Sequence, residues 1–465
     1  MKRSRHIFAC LLLSACLLFS FAASATPAED YQQAQLLYLT ATASFAAYSG
    51  SDGDIAMAVM RHDGWQIVPS VQKDEAAPSK FFFARKVTPS LPVEYLVAIA
   101  GTATNKDIEL DFKLGKVLFA GKTFAEFETN ANTKIQDHSK SPMVHEGFHQ
   151  YVQTAFGETT KMSSEAKPGS KIVDILLSQP ERIIYLTGHS AGGAAATLLG
   201  ARFISMGVRP DQLKVVSYGA PAIGNVRFAE KFSPELDLIR VVVDGDPIPA
   251  LLKVFARGYR QFGREVRWQV EGYTFDEKHY PNIYLDCAIK NYYDKRQTAA
   301  AAGVAAAVEL SEKPSIDGKR LYVAEINNSL DKEMDGEFRY MREILLDHYR
   351  DSIPAFVIGA RGAEETLNFE ALRIKAAEAG CDRMAIVNIW GSKQDDPAVY
   401  NGGLLTKPSE AYDLIVIEQA VFRVSDGVLL DGRTFQKGSK YFTPLVALAS
   451  AAVTMTKESA VWSGQ

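Results

Sequence analysis

Cysteine is scarce in this 465-residue chain, and its few copies form no recognisable pattern. Cys10 and Cys16 lie in an apolar run near the N-terminus, which leaves Cys287 and Cys381 for the rest of the chain. Their wide separation fits neither a metal-site spacing nor a redox motif. We therefore expect buried free thiols, no metal and no cofactor, while a disulfide between Cys287 and Cys381 stays open as the alternative.

Basic charge is also in short supply. The chain has 51 Lys and Arg against 55 Asp and Glu, a formal net charge of −4, and without Lys2, Arg3 and Arg5 this becomes −7. A mildly acidic surface gives no indication of nucleic-acid binding. Beyond the N-terminal run, no apolar stretch is long enough to span a bilayer.

The N-terminus has the three parts of a secretory leader. Basic residues are followed by an apolar run at residues 7–22 and by Ala23-Ser24-Ala25. This predicts a signal peptide over residues 1–25 and an exported protein, periplasmic or secreted. The alternative is a lipoprotein, because Leu13-Ser14-Ala15-Cys16 resembles a lipobox. The apolar residues that follow Cys16 favour the signal peptide.

The stretch at residues 183–193 organises the first half of the chain. Residues 183–187 have the composition of a strand buried on both faces, and a run of small residues then opens a helix. Between them, Gly188, Ser190 and Gly192 form the G-x-S-x-G pattern of a nucleophile elbow. The pattern predicts Ser190 as the nucleophile and the backbone N–H of Ala191 as an oxyanion donor. A plain glycine-rich turn is the alternative.

Buried strand patterns alternate with helical patterns over residues 26–295. This alternation predicts an α/β domain whose mostly parallel sheet carries the catalytic groups at its C-terminal edge. Thr102, Ser190 and Asp246 follow predicted strand ends. The predicted strands are residues 95–100, 183–187, 215–218, 238–243 and 265–270, and the predicted helices include residues 34–48, 145–156 and 283–293.

Two histidines follow Asp246 in the chain. His348 lies on an apolar helical stripe, which a packed histidine explains. His279 lies in a polar loop, where catalytic groups are commonly placed, so we predict His279 as the base. His145 is expected to be a hydrogen-bonding support, and the His189 side chain is expected to point away from the substrate.

Several blocks resemble, in family order, the class 3 lipases, which are α/β-hydrolases that include the fungal triacylglycerol lipases. The resemblance covers about residues 30–295. The blocks are Gly101-Thr102-x4-Asp107-x3-Asp111, Val144-His145-x-Gly147-Phe148, the elbow, Tyr218-Gly219-x-Pro221, Arg240-Val241-x4-Asp246-Pro247-x-Pro249 and His279-x4-Tyr284-Leu285. The chain departs from the family at Ala100, Ile108, Ala222 and Val243.

The resemblance implies roles for two further residues. Asp246 corresponds to the family's acid, which immediately precedes the Pro-x-Pro, so it is preferred over Asp244. Thr102 corresponds to the second oxyanion donor, with an ordinary strand-end threonine as the alternative. The implied order Ser190, Asp246, His279 is that of the α/β-hydrolases.

A long connection at residues 103–143 carries an apolar group that suggests a lid. Connections of this length inside a compact domain often cover active sites, and a lid would open at a lipid–water interface. The alternative is that these side chains cap the core. The possible lid residues are Val117, Leu118, Phe119, Phe124 and Phe127.

A second domain is predicted after an alanine-rich linker or helix at residues 296–315. Residues 316–465 alternate strand and helix patterns and include a hairpin at residues 414–430, which predicts a smaller α+β domain. This region resembles, weakly, small accessory domains of bacterial envelope proteins such as the amino-terminal domain of the Tol-system translocation protein. We identify no catalytic group in it and no partner, and we expect a chain ending near Arg296 to fold alone.

The sequence thus predicts a two-domain serine hydrolase that cleaves acylglycerol-type lipid esters through an acyl-enzyme. A phospholipase A-type enzyme and a short-chain esterase are alternatives. A non-enzymatic alternative is an envelope scaffold whose hydrolase fold is catalytically silent.

Overall fold

The structure is a computed structural model of the full chain. Most of the predicted signal peptide, including Cys16, and the predicted oxyanion residue Thr102 lie outside the residues that it describes. Both therefore remain predictions. The described residues are 25–48, 51–68, 81–101, 115–135, 137, 139–157, 168–255, 258–308, 312–314, 319–353, 355–359, 368–395, 400–401, 404–405, 411–439 and 443–458.

A seven-stranded sheet forms the centre of the N-terminal half, with the strand order β1-β2-β3-β6-β7-β8-β9. The five strands from β3 to β9 in this order are parallel, and β1 and β2 add an antiparallel edge. This confirms the predicted α/β class with a mostly parallel sheet. The strands are β1 (Gln66–Val68), β2 (Phe81–Lys86), β3 (Glu94–Ile99), β6 (Ile183–His189), β7 (Leu213–Tyr218), β8 (Leu238–Val243) and β9 (Arg264–Trp268), while β4 (Lys116–Leu118) and β5 (Met143–His145) form a separate pair.

Helices cover both faces of this sheet, because successive residues of its strands, which point to opposite faces, are apolar. On β3, Leu96 and Ala98 join a core that includes residues of α1, α2 and α9, whereas Val97 and Ile99 join a core that includes residues of α4, α5 and α6. The helices are α1 (Pro27–Ala46), α2 (Ser51–His62), α3 (Phe124–Ala131), α4 (Glu146–Phe156), α5 (Pro168–Ser178), α6 (Ala191–Ser205), α7 (Val226–Phe232), α8 (Ile248–Phe255) and α9 (Pro281–Ala301).

The aromatic residues predicted as a lid are part of the hydrophobic core. Phe119, Phe124 and Phe127 are each 1% exposed, and the Phe119 ring packs edge-on against the rings of Phe228 and Phe232 on α7. Val117 and Leu118, on β4, are half-buried, and Val117 packs against the same core. The three phenylalanines therefore belong to the core, and Phe124 and Phe127 lie on one face of a capped helix that turns inward. This favours the alternative, in which the aromatic side chains cap the core, while a lid role of Val117 and Leu118 stays a prediction.

We expect Phe119→Ala to lower the free energy of unfolding by about 3–5 kcal/mol, because it opens a cavity among packed rings. Chemical denaturation monitored by circular dichroism measures this change. Phe275 is 64% exposed and gives a matched control, since Phe275→Ala removes the same side chain from the surface. Equal and small effects of both substitutions would contradict the core assignment of Phe119.

A buried arginine ties α3 and α4 to the helix that follows the elbow. Arg202 on α6 is fully buried; its Nη1 donates to Oε1 of Gln153 at 2.8 Å, and its Nη2 lies 3.0 Å from Nδ1 of His149. Nε2 of His149 lies 3.2 Å from a carboxylate oxygen of Glu128. Burial lowers the pKa of Arg202 to about 9, so the guanidinium stays charged at neutral pH. This network holds α6, the helix that begins directly after Ser190, against α4, and α4 against α3.

Two buried histidines of this region should make the protein acid-sensitive. Burial lowers the pKa of His145 and of His149 to about 4, below the ordinary value of 6.5. The unfolded chain then binds more protons than the folded chain between these values, so stability is full above pH 6.5 and falls as the pH drops towards 4. His145 alone accounts for roughly 3 kcal/mol of this loss.

Urea unfolding at a series of pH values measures the slope. His145 caps α4 by accepting a hydrogen bond from the N–H of Gly147 at 3.1 Å. Asparagine keeps a capping acceptor but does not titrate, so His145→Asn should flatten the slope between pH 4 and 6.5. An unchanged slope in this variant would contradict the assignment.

A six-stranded sheet follows, in the order β10-β12-β11-β13-β16-β17, with helices packed against it. It confirms a second, smaller α+β unit, and its long hairpin β16–β17 includes the predicted one. Among the described helices, none has the length and apolar character needed to cross a membrane. The elements are β10 (Glu312–Lys313), β11 (Leu321–Leu330), α10 (Phe338–Ser352), β12 (Phe356–Ile358), α11 (Phe369–Glu378), β13 (Arg383–Asp395), β14 (Tyr400–Asn401), β15 (Leu404–Leu405), β16 (Ala411–Arg423), β17 (Leu429–Ser439) and α12 (Pro444–Glu458).

The two units share one hydrophobic core. It runs without interruption from α1, α2 and α9 to α10, α12 and the second sheet. Ion pairs reinforce the contact: Arg296 on α9, with 8% of its side chain exposed, pairs with Asp347 at 2.7 Å and with Glu343 at 2.8 Å on α10. The alanine-rich segment is not a free linker, because Ala299 and Ala307 are buried against Tyr31. Cys287 and Cys381 are buried free thiols.

Candidate active site

Three of the predicted site residues meet at the C-terminal edge of the first sheet. Ser190 follows β6, Asp246 follows β8, and His279 ends a short 3₁₀ turn just before α9. All three are buried. Parallel strands place their C-terminal ends on one edge, so residues far apart in sequence come together there.

The elbow holds Ser190 in a strained backbone conformation. Its φ is 58° and its ψ is −128°, in a region that non-glycine residues rarely adopt. The flanking glycines are required by close packing: a Cβ at Gly192 would lie 2.1 Å from the carbonyl oxygen of Ile99, and one at Gly188 would lie 2.4 Å from the carbonyl carbon of Gly192. In this conformation, Ser190 lies at the tip of the turn between β6 and α6.

A chain of hydrogen bonds links the three side chains. Oγ of Ser190 lies 2.9 Å from Nε2 of His279, and Nδ1 of His279 lies 2.9 Å from Oδ2 and 3.0 Å from Oδ1 of Asp246. Since the carboxylate can only accept, it holds the Nδ1–H tautomer and leaves Nε2 free to accept the serine proton. This arrangement can activate a hydroxyl as a nucleophile.

Asp244 lies apart from this chain. Its side chain is 57% exposed and pairs with Arg267 at 2.9 Å, whereas the Asp246 side chain is inaccessible. Asp246 also accepts from the N–H of Ile248 at 2.9 Å. The structure therefore brings Asp246, and not Asp244, to the imidazole.

The other histidines have different surroundings. His348 is buried on α10 in the second unit, as the helical stripe predicted. His145 caps α4. The His189 ring packs with its centroid 4.6 Å from that of the His279 ring, and its Nδ1 lies 2.8 Å from the hydroxyl of Tyr48. The ring thus lies beside the base, and its orientation away from the substrate stays a prediction.

The predicted oxyanion donors are described in part. Ala191 is the first residue of α6, so its backbone N–H has no carbonyl partner within the helix and can donate to an oxyanion. The positive end of the helix dipole lies at the same place. Thr102 lies outside the described residues, although Gly101 before it lies close to Ser190.

Tyr284 is a site residue to which our sequence reasoning gave no role. Its hydroxyl donates to Oδ2 of Asp246 at 2.5 Å and accepts from the N–H of Val243 at 3.1 Å. Burial, and then the Asp246 carboxylate, raise the pKa of Tyr284 well above its ordinary range, so the hydroxyl keeps its proton and remains a donor. A signal was available: Tyr284 is in the first turn of the helix after His279.

We expect Tyr284→Phe to lower kcat by about 10- to 100-fold with little change in KM, because a hydrogen bond to a charged group contributes about 1.5–3 kcal/mol. Steady-state kinetics on a soluble ester measure the change. Tyr293→Phe is the matched control. Tyr293 lies on α9, as Tyr284 does, and its hydroxyl also donates to a carboxylate, that of Asp347 on α10 at 2.9 Å, but away from Ser190. A loss in Tyr284→Phe no larger than in this control would exclude the role.

A sizeable cavity lies away from Ser190. It has a volume of about 1140 Å³ and is lined by residues at the starts of the parallel strands, such as Ile183, Lys214 and Ile239, and by residues of α1 and α10. It therefore opens at the opposite edge of the sheet from Ser190. No cluster of potential metal ligands occurs in the described part of the chain.

Comparisons with known proteins agree with this site. Residues 96–255 match the family model described as Lipase (class 3). A 70-residue segment is 41% identical to lipase ZK262.3 of Caenorhabditis elegans, but it makes up 15% of this chain and spans only 20% of the relative's length.

Solved lipase structures show a more distant similarity. The Yarrowia lipolytica LIP2 lipase is 21% identical with a TM-score of 0.38, over 52% of this chain and 80% of that chain. The lipase of Rhizopus microsporus var. chinensis is 20% identical with a TM-score of 0.36, over 52% of this chain and 76% of that chain. At these values the similarity does not by itself establish a common fold.

The strand order and the serine elbow define the first unit as an α/β-hydrolase domain. Within this domain, residues 96–255 are similar to the class 3 lipases, as the family match shows.

Proposed function

We propose that this protein is a serine hydrolase that cleaves carboxylic esters of the acylglycerol type through an acyl-enzyme. The observation that carries the proposal is the buried hydrogen-bond chain from Ser190 through His279 to Asp246. A catalytically silent scaffold has no need to keep all three groups in contact beside a strained serine.

The chemistry proceeds in two halves. Ser190 Oγ attacks the ester carbonyl while His279 Nε2 takes its proton, and the tetrahedral oxyanion is bound by the N–H of Ala191 and by a donor from the loop after β3, assigned to Thr102. His279 then gives the proton to the departing alcohol, which leaves an acyl group on Ser190. Water, deprotonated by His279, attacks the acyl group, and the acid and free serine are released. Asp246 stabilises the imidazolium in both halves.

Support for the substrate class comes from the match of residues 96–255 to the family model described as Lipase (class 3). We assign the substrate to lipid-like esters, and the enzyme then works where such esters collect, at a lipid–water interface. Phospholipids and short soluble esters should be compared as substrates, because they distinguish this assignment from the phospholipase and the short-chain esterase alternatives.

Labelling with a fluorophosphonate, followed by mass spectrometry, should place the adduct on Ser190. Activity is then measured on esters of graded chain length. The labelled protein should be inactive on every ester that the unlabelled protein cleaves. Asp246→Asn should reduce kcat by about 10⁴, whereas Asp244→Asn, its neighbour two residues away, should leave kcat within a factor of two. Absence of labelling in a folded protein, or equal losses in both variants, would exclude the proposal.

We also propose that the protein is exported after removal of residues 1–25. Support comes from the first described helix, which begins at once after the predicted cleavage point: Thr26 caps α1 in a capping box with Glu29. Sequencing of the exported protein should therefore find Thr26 at its N-terminus. A lipid-modified Cys16 at the N-terminus would instead establish the lipoprotein alternative.

A further inference from the structure

We propose that Tyr48 and His189 act together as a positioning pair for His279, in which the Tyr48 hydroxyl donates to Nδ1 of His189 and keeps it a neutral ring packed beside the catalytic imidazole. The inference rests on the proposed function, since it assigns His279 as the base. It extends the site to the end of α1, which the sequence motifs did not include.

The geometry places the pair against the reacting groups. The His189 ring lies 4.6 Å from the His279 ring and 5.4 Å from the Tyr284 ring, measured between ring centroids. Its Nδ1 lies 2.8 Å from the Tyr48 hydroxyl. A Cβ built on Gly101 would lie 2.7 Å from that hydroxyl and 3.1 Å from Cβ of Ser190, so Tyr48 reaches the immediate surroundings of the nucleophile.

The arrangement restricts both rings. His279 contacts Asp246 at one edge and Ser190 at the other, and His189 at its side limits rotation out of that line. His189 itself is 2% exposed and held by Tyr48, while its Nε2 has no hydrogen-bond partner among the described residues. The ring is therefore held by the hydrogen bond to Tyr48 and by packing.

The charge of His189 matters as much as its position. Catalysis requires His279 to become an imidazolium, and a second positive charge beside it would oppose this step. Burial and the proximity of His279 hold the pKa of His189 well below its ordinary value. A hydroxyl that donates to Nδ1 occupies the lone pair that a proton would need, which acts in the same direction. Burial raises the pKa of Tyr48, so its hydroxyl keeps the proton that it donates.

The titratable groups around His189 come from four elements. Tyr48 follows α1, His279 ends the 3₁₀ turn, Tyr284 lies on α9, and Asp246 lies behind His279 and Tyr284. Tyr151 on α4 acts on Tyr48 from the other side. Of these groups, Tyr48 has its side chain at hydrogen-bond distance from Nδ1 of His189, so we assign it a contribution to the neutral ring that adds to the effect of burial.

The test compares Tyr48→Phe with the wild type at several pH values. With the hydroxyl removed, His189 gains affinity for a proton, so kcat should fall roughly tenfold at pH 6 but only about threefold at pH 9. His189→Phe keeps a ring that cannot be charged. In that background, Tyr48→Phe should lose its pH dependence, a result that a purely structural role of Tyr48 would not produce.

Nuclear magnetic resonance of ¹⁵N-labelled histidine separates this inference from the proposed function, because it reports each ring whether or not an ester is cleaved. The wild type should show His189 neutral, with its proton on Nε2, from pH 5 to 9, and in Tyr48→Phe this ring should begin to titrate. The opposite tautomer, a charged His189 in the wild type, or a loss of kcat in Tyr48→Phe that is equal at both pH values would overturn the positioning pair. A correct spectrum in a protein that cleaves no ester would overturn the proposed function alone.

Discussion

Replacing Ser190 with alanine should lower kcat by about 10⁴ to 10⁶ while the protein stays folded. The nucleophile acts through the transition state, and removing it leaves only the oxyanion donors and substrate binding to accelerate the reaction. The substitution removes one oxygen atom from a buried site and leaves the strained turn and its two glycines in place. Relief of backbone strain is not expected, because alanine at this φ is strained as well.

Kinetics on a soluble ester, together with melting temperature, test this expectation. His279→Ala should lose nearly as much, since the groups act as a unit and their losses do not add. His348→Ala is the matched control, because it removes a buried imidazole from α10, away from Ser190. A fully inactive but folded His348→Ala, with an active His279→Ala, would show that the base has been assigned wrongly.

The elements around this site were the most predictable part of the chain. The predicted strand at residues 238–243 coincides with β8, Leu238–Val243, because a buried parallel strand is a short apolar run bounded by turn residues. The elbow could be placed for a similar reason: glycines two positions either side of a serine are needed where a strand and a helix approach closely. Local sequence contains this information.

Long-range contacts were less accessible to sequence reasoning. Tyr48 is more than a hundred residues from His189, and nothing in the local pattern around it indicates a hydrogen bond to the elbow. The same limit applies to the predicted lid residues Phe119, Phe124 and Phe127, which lie in the core. Apolar residues between charged ones suit both a lid and a surface helix that turns one face inward, and only the partners on α7 distinguish the two.

The domain boundary was misjudged through the alanine-rich segment. Low complexity and Gly303 suggested a linker, but α9 continues to Ala301, and small side chains allow it to pack closely against α1. Alanine-rich sequence is typical of flexible connections and also of closely packed helices. Burial, which decides between them, depends on the partner helix. The assignment of two independently folding domains therefore has to be revised in the light of the shared core.

A chain that ends after Ala301 should accumulate as insoluble protein, contrary to what the sequence suggested. The truncation keeps Ser190, Asp246 and His279, but it removes α10, α12 and the second sheet from a core that they share with α1, α2 and α9. The exposed face would include large apolar side chains such as Leu285, Ile289 and Tyr293, each of which contributes about 1.5–3 kcal/mol through burial. Arg296 would also lose Asp347 and Glu343. Losses of this size are comparable to the whole free energy of unfolding of a typical domain, about 5–15 kcal/mol.

A substitution in the full chain tests the shared core without removing any element. Leu345 on α10 is fully buried in the shared core, so Leu345→Ala in the full chain should lower the free energy of unfolding by about 2–5 kcal/mol and leave kcat on a soluble ester unchanged. Unfolding of the full chain should be a single transition, because neither unit has a complete core without the other. A soluble truncated chain that unfolds cooperatively and hydrolyses the ester at the full-length rate would show that the first unit folds alone. In that case the contact between the units would be an interface between two independent domains.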